Sequence, residues 1–272
     1  MHSRKLEIYR ELKSALARGS PAVMATVIAS RRAIEVGAKA LWVADSGAFW
    51  WTADFPSQWC EWTKERCVAK PGQGRQRVVI QSPGDDPGFR VAFEFFAPAP
   101  RLIIAGAGHI AQPTHWFAAR LGFAVTVIDD RPDFANRERF PHAAQVICDD
   151  FGPGLAQAGV DDDCAVVVIT RGHRHDLEVL AALFHVRPWY LGMIGSRRRV
   201  LTVLEQLKER GAPQDLLDRI YAPIGLDIGA ETPEEIALAI VAEIICVMRG
   251  GTGGHLRWRP GKGESIDAPL AR

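Results

Sequence analysis

The stretch RLIIAGAGHIAQP, residues 101–113, constrains this chain more than any other. An apolar run ends in a glycine turn, and a helix-like segment follows at once. Gly106, Ala107, Gly108, His109, Ile110 and Ala111 fit the pattern G-x-G-x-x-[GA]. In such a turn the first glycine permits a tight bend and the second lets backbone amides approach a diphosphate. The last position stays small so that helix and strand can pack. The helix start behind it offers N–H groups and a positive dipole end to an anion. Asp129 ends the next apolar run, at the distance where an acid meets ribose hydroxyls. Strand, turn, helix and acid together predict a Rossmann-type unit. They leave open whether a nucleotide binds, because the same fold serves elsewhere as a bare scaffold.

The pattern continues downstream. AVTVIDD, AQVIC, AVVVIT and YLGMIG read as the second to fifth strands. Strands that are apolar throughout and separated by helices imply a parallel sheet covered on both faces. Thr232-Pro233-Glu234-Glu235 opens the last strong helix with a capping box, proline suiting its first turn. This helix stops at Gly250, before a glycine-rich tail expected to be poorly ordered.

Upstream of residue 98 the alternation differs. A helix is expected from about Lys5 to Arg18, with Leu6, Tyr9, Leu12 and Leu16 sharing one face. AVMATVI and KALWV read as strands, and RVAFEFF puts Val91, Phe93 and Phe95 on one side by strict alternation. AKPGQGRQ reads as a loop and QSPGDDPG as a hairpin connection. The fold class predicted is therefore α/β: a smaller N-terminal α+β domain over residues 1–97, then a Rossmann-like domain with a parallel sheet over 101–250, and a tail over 251–272. APAPR forms the linker.

Charge narrows the partners. Lys and Arg number 33 against 32 Asp and Glu, so nothing electrostatic favours nucleic acid or an anionic membrane. No apolar run approaches bilayer length, and the amphipathic N-terminus lacks a signal-peptide core. Five cysteines, an odd number without a framework, suit a reducing cytoplasm.

Two further segments fall where strand ends of a parallel sheet face a ligand crevice. TRGHRHD follows the fourth strand. His173, His175 and Asp176 raise the idea of a metal site, but nothing supplies the histidine pair with convincing third and fourth ligands, so no metal is expected. The preferred reading is a hydrogen-bonding loop, with Asp176 capping the next helix. His109 either faces the same cleft or is an ordinary exposed loop histidine. GSRRR follows the fifth strand, where Gly195, Ser196 and Arg197 make an anion cradle; the alternative is a solvated first helical turn. Cys60 and Cys67 read as buried structural residues rather than reactive thiols. Four of the eight tryptophans crowd into residues 47–67, as core or as a partner surface. No catalytic group can be named from spacing.

With these motifs in this order, the sequence resembles the XdhC/CoxI family of accessory proteins for molybdenum hydroxylases. The resemblance is closest over residues 102–250. It rests on IIAGAGHIA with VTVIDDR and RFPHA, on VVVITRGHRHDLEVLAAL, on YLGMIGSRRR and on IYAPIGLDIGAETPEEIALAIVAEII. By that resemblance Asp129, Asp130 and Arg131 belong to the second-strand signature. Thr170, His173 and Asp176 belong to the crevice loop, with Arg171 where the family often has histidine. The implied function is that of a non-catalytic chaperone. It would bind molybdenum cofactor (molybdopterin), aid its sulfuration and insert it into an apo molybdenum hydroxylase of the xanthine or carbon monoxide dehydrogenase type. A cysteine desulfurase and a second copy of the chain, as a homo-oligomer, are the further partners implied. The alternative is an NAD(P)-binding oxidoreductase on the same scaffold. In the N-terminal domain the family's Gly-Ser-x-Pro-Arg is replaced by Ala29-Ser30-Arg31-Arg32-Ala33, and Gly-Gly-Cys-x-Glu survives only as a distorted echo at Cys60-Glu61.

Overall fold

The computed structural model describes residues 2–68, 78–84, 86 and 88–256. The chain divides into two compact units between Pro98 and Ala99. The AKPGQGRQ segment and the tail beyond 256 lie outside the described residues.

The first unit begins with α1 (His2–Ala17), followed by β1 (Ala22–Ala29), β2 (Lys39–Val43), β3 (Phe49–Trp51), α2 (Cys60–Val68), β4 (Val78–Gln81) and β5 (Arg90–Phe96). The strands form an antiparallel sheet in the order β3-β2-β1-β5-β4. QSPGDDPG connects β4 to its antiparallel neighbour β5, as its turn residues predict. Val91 and Phe93 are buried on one side of β5 and Phe95 is half-buried beside them.

The face shared by Leu6, Tyr9, Leu12 and Leu16 is only partly the one that α1 buries. Leu6 and Tyr9 are exposed, while Ile8, Leu12 and Ala15 are buried against Met24, Leu41 and Val43. Residues 8, 12 and 15 are also helically spaced, and that stripe carries small Ala15, which lets the helix lie close to the sheet. Tyr9 instead lies beneath the Lys39 ammonium, 5.8 Å from its ring centre. The four tryptophans of the segment are half-buried and packed against the core. Trp59 stacks on Phe89 at 5.4 Å, Trp62 meets Phe93 at 5.8 Å and Trp51 meets Phe55 edge-on at 4.8 Å.

The second unit holds β6 (Arg101–Ala105), α3 (Ala111–Arg120), β7 (Ala124–Asp129), β8 (Gln145–Cys148), α4 (Phe151–Ala158), β9 (Cys164–Val168), α5 (His173–Ala182), β10 (Tyr190–Met193), α6 (Arg197–Glu209), α7 (Gln214–Leu217), β11 (Ile220–Tyr221) and α8 (Pro233–Arg249). All pairings in its sheet are parallel, in the order β11-β10-β9-β6-β7-β8. Numbered within the unit, that is the Rossmann order, with its reversal point between β6 and β9. Successive side chains of a strand point to opposite faces. In β6, Leu102 and Ile104 join Ile240 and Ile244 of α8, whereas Ile103 and Ala105 join Leu180 and Val203 of α5 and α6. Burial on both faces is why residues 102–105 of β6 form an unbroken apolar run. The capping box of α8 forms: Glu235 N–H donates to Thr232 Oγ1 at 3.3 Å and Thr232 N–H donates to Glu235 Oε2 at 3.0 Å.

Candidate functional site

The ends of β6 and β9 border the reversal point, and the glycine turn leaves β6 there. Gly106 has φ of 116°, and a Cβ there would stand 2.4 Å from the Ile169 carbonyl oxygen at the end of β9. Only glycine satisfies both conditions. Gly108 faces open space, with no atom within 4 Å of a notional Cβ. Ala111, the small residue the motif requires, is fully buried at the first position of α3. Ile110 precedes it without a side-chain cap, so no side chain competes with a ligand for the first amides of that helix.

Asp129 does not present the open acceptor that the ribose reading calls for. It is 1% exposed, and both carboxylate oxygens are engaged within the protein. Oδ2 accepts from Ala107 N–H at 2.8 Å and from Arg131 Nη2 at 2.9 Å. Oδ1 accepts from Arg131 Nε at 2.8 Å and from the Arg131 amide at 3.1 Å. The acid thus ties the glycine turn to the end of β7 and pins Arg131, whose guanidinium also covers the Phe134 ring at 3.7 Å.

Asp130, the next residue, takes a different arginine. It pairs with both terminal nitrogens of Arg171, at 2.5 and 2.7 Å. Those hydrogen bonds hold the Asp130 carboxyl down to about 2.

In the TRGHRHD segment, α5 starts at His173 with Gly172 as its cap, four residues earlier than the capping reading of Asp176 supposes. Asp176 consequently lies inside the first turn, fully buried, and does not cap. Its Oδ1 accepts from the Thr170 hydroxyl at 2.6 Å, and its Oδ2 accepts from Arg199 Nε at 2.8 Å and Nη2 at 2.5 Å. Burial pushes this carboxyl above its ordinary value, against the pull of Thr170 and Arg199. His173 is exposed, whereas His175 is half-buried against Phe151. Among the described residues no three metal-ligating side chains converge.

GSRRR divides its labour. Ser196 caps α6 by accepting from Arg199 N–H, so its hydroxyl serves the helix in the first place. Arg197 and Arg198 are exposed on the first turn, and Arg199 is committed to Asp176. His109 is exposed beside a different feature, a cavity of about 540 Å³ bordered by Gln112, His115, Arg139 and Glu234. In the first unit, Ser30, within the segment that departs from the family pattern, donates to Glu35 at 2.6 Å. Burial pushes the Cys67 thiol up to about 12 and raises Cys60 as well, in keeping with structural cysteines.

The crevice is therefore lined by three arginine–aspartate pairs, 131 with 129, 171 with 130 and 199 with 176. They are not equivalent. The Asp129 and Asp176 side chains are 2% and 0% exposed, and stripping a partner from a buried carboxylate costs about 3–5 kcal/mol. A solvated pair is worth about 0–1 kcal/mol. Position marked Asp129 in the sequence, and the family resemblance marked Asp130 and Asp176; nothing marked which arginine each would take.

Known proteins share the domain that carries this geometry. Residues 102–244 match the family model described as the XdhC Rossmann domain, more than half of the chain. This chain belongs to the XdhC family. It is 36% identical over 177 residues to a probable xanthine dehydrogenase subunit of Bacillus subtilis (strain 168), covering 64% of this chain and 52% of that one. It is 30% identical over 160 residues to the molybdenum cofactor insertion chaperone PaoD of Escherichia coli (strain K12), covering 59% and 43% respectively. It is 36% identical over 156 residues to YqeB of the same strain, covering 57% and 28%. The match thus spans about half or less of these relatives' lengths. A crystal structure described as a xanthine dehydrogenase from Bacillus halodurans superposes with a TM-score of 0.51 over 89% of this XdhC-family chain and 96% of that one, at 22% identity, which shows a shared fold. No helix among the described residues is long and apolar enough to cross a membrane.

Proposed function

We propose that this XdhC-family protein is an accessory factor for a molybdenum hydroxylase, holding molybdenum cofactor as cargo and passing it to the apoenzyme. Similarity to an insertion chaperone and to a probable xanthine dehydrogenase subunit supports this reading. The structural observation that carries it is the glycine turn at the reversal point, tight at Gly106 and unobstructed at Gly108, which suits a phosphate-bearing end of the cargo. Sulfuration of the bound cofactor with a cysteine desulfurase, assembly as a homo-oligomer and a cytoplasmic setting belong to the same proposal.

The test is native mass spectrometry of gently purified protein, together with deletion of its gene. A retained pterin mass and a fall in molybdenum hydroxylase activity are expected. No co-purifying molybdopterin, with every molybdenum hydroxylase unaffected, would sink the proposal.

The glycine turn also favours a second reading, an oxidoreductase binding NAD(P). The enclosure of Asp129 counts against it, because the ribose then lacks its acid. Titration with both dinucleotides separates the two; absence of saturable binding rejects the dehydrogenase.

A further inference from the structure

Of the three paired arginines of the crevice, one can change partners at low cost. Taking Arg131 or Arg199 would strand a carboxylate of 2% or 0% exposure. Asp130 is 23% exposed and Arg171 is 38% exposed, so water can receive the carboxylate that is left behind.

Topology singles out the same pair. β6 lies between β7 and β9 in the sheet. Asp130 directly follows β7 and Arg171 comes three residues after β9. Their bond therefore crosses the end of β6, where the turn from Gly106 to Gly108 emerges. Arg171 Nη1 also lies 4.0 Å from Asp129 Oδ1, which keeps the guanidinium close to the acid that holds that turn.

We propose that Arg171 is the anion-recognising cation of this crevice, held across the glycine turn by Asp130 until a phosphate or diphosphate group displaces that carboxylate. The inference rests on the crevice being the cargo site and adds how the site tells an anionic ligand from a neutral one. A guanidinium offers the same paired N–H fork to a carboxylate and to a phosphate, so the exchange replaces one two-point pair with another. Lysine or a neutral histidine at position 171 would lack that fork. A neutral ligand gains nothing from Arg171 and leaves the clasp shut.

The probe is inorganic pyrophosphate, titrated calorimetrically into the full chain. Asp130→Asn removes the internal competitor and should tighten binding about tenfold; Arg171→Ala should weaken it about tenfold, with Arg171→Lys between them. The decisive measurement is the double variant. Asp130→Asn should lose its benefit once Arg171 is alanine; an equal benefit in both backgrounds would mean that only net charge matters, and the clasp would be wrong. A readout independent of affinity is the Asp130 carboxyl carbon in NMR. Saturating pyrophosphate should move its titration from about 2 towards the ordinary 3.8, and an unmoved titration overturns the proposal. Failure of both wild type and Asp130→Asn to bind pyrophosphate also overturns it, whereas the chaperone reading stands or falls on cofactor co-purification.

Discussion

Arg199 of α6 reaches Asp176 of α5 with two nitrogens on one carboxylate oxygen, Nε at 2.8 Å and Nη2 at 2.5 Å. The pair joins the helices that follow β9 and β10, and Thr170 closes it from the crevice side at 2.6 Å. Because Asp176 is fully buried, its charge depends on that arginine. Arg199→Ala should lower unfolding stability by about 3–5 kcal/mol, read from the urea midpoint at unchanged m-value. Joint replacement, Asp176→Leu with Arg199→Met, should recover much of the loss, since no charge is then buried without a partner. A double variant no more stable than Arg199→Ala would show that the pair acts through something other than mutual neutralisation.

The two glycines of the turn should separate folding from binding. Gly106→Ala forces a Cβ to 2.4 Å from a backbone oxygen at a φ of 116°, and should cost at least about 2 kcal/mol. Gly108→Ala meets nothing within 4 Å and should change stability by less than about 1 kcal/mol. Its methyl would nevertheless stand in the open space before the turn. Cargo retention should fall while the urea midpoint holds. Unchanged retention in folded Gly108→Ala would place the ligand elsewhere.

The contrast between these residues shows what a sequence can disclose. Gly106, Gly108 and Ala111 were legible because backbone geometry restricts residue type locally. The first five strands of the second unit were legible because burial on both faces leaves predominantly apolar runs. β11, two residues long, is too short to carry a pattern, and α4 is obscured by glycine and proline in its first turn. Proline there lacks only an N–H that the first turn does not use. The pairing of arginines with aspartates was not legible. Partners such as Asp130 and Arg171 lie 41 residues apart and meet only because three strands lie side by side. Asp129 shows the opposite risk, for its position suggested a ligand contact while its environment supplied internal donors for both oxygens.

Thiol reactivity should follow burial. Cys148 is exposed at the end of β8, whereas burial raises Cys67 to about 12 and lifts Cys60 in the same direction. A thiol far above neutrality holds almost no thiolate, the reactive form. Alkylation followed by peptide mass mapping should label Cys148 first and Cys67 only after denaturation. Rapid native labelling of Cys67 would contradict the structural role assigned to it.

Asp130 gives the crevice a signature at acid pH. Arg171 lowers its carboxyl from the ordinary 3.8 to about 2, chiefly through hydrogen bonds to the charged form. A depressed folded-state value stabilises the fold in full above the unfolded value, and the contribution is lost as pH falls through the folded one. The stability contributed by the Asp130–Arg171 pair should therefore be constant above about pH 4–5 and shrink between about pH 4 and 2. Arg171→Ala should abolish that part of the pH dependence and return the Asp130 titration, followed by carboxyl NMR, close to 3.8. A midpoint that stays near 2 without Arg171 would assign the depression to Asp130's own backbone N–H instead, and the clasp would lose its energetic basis.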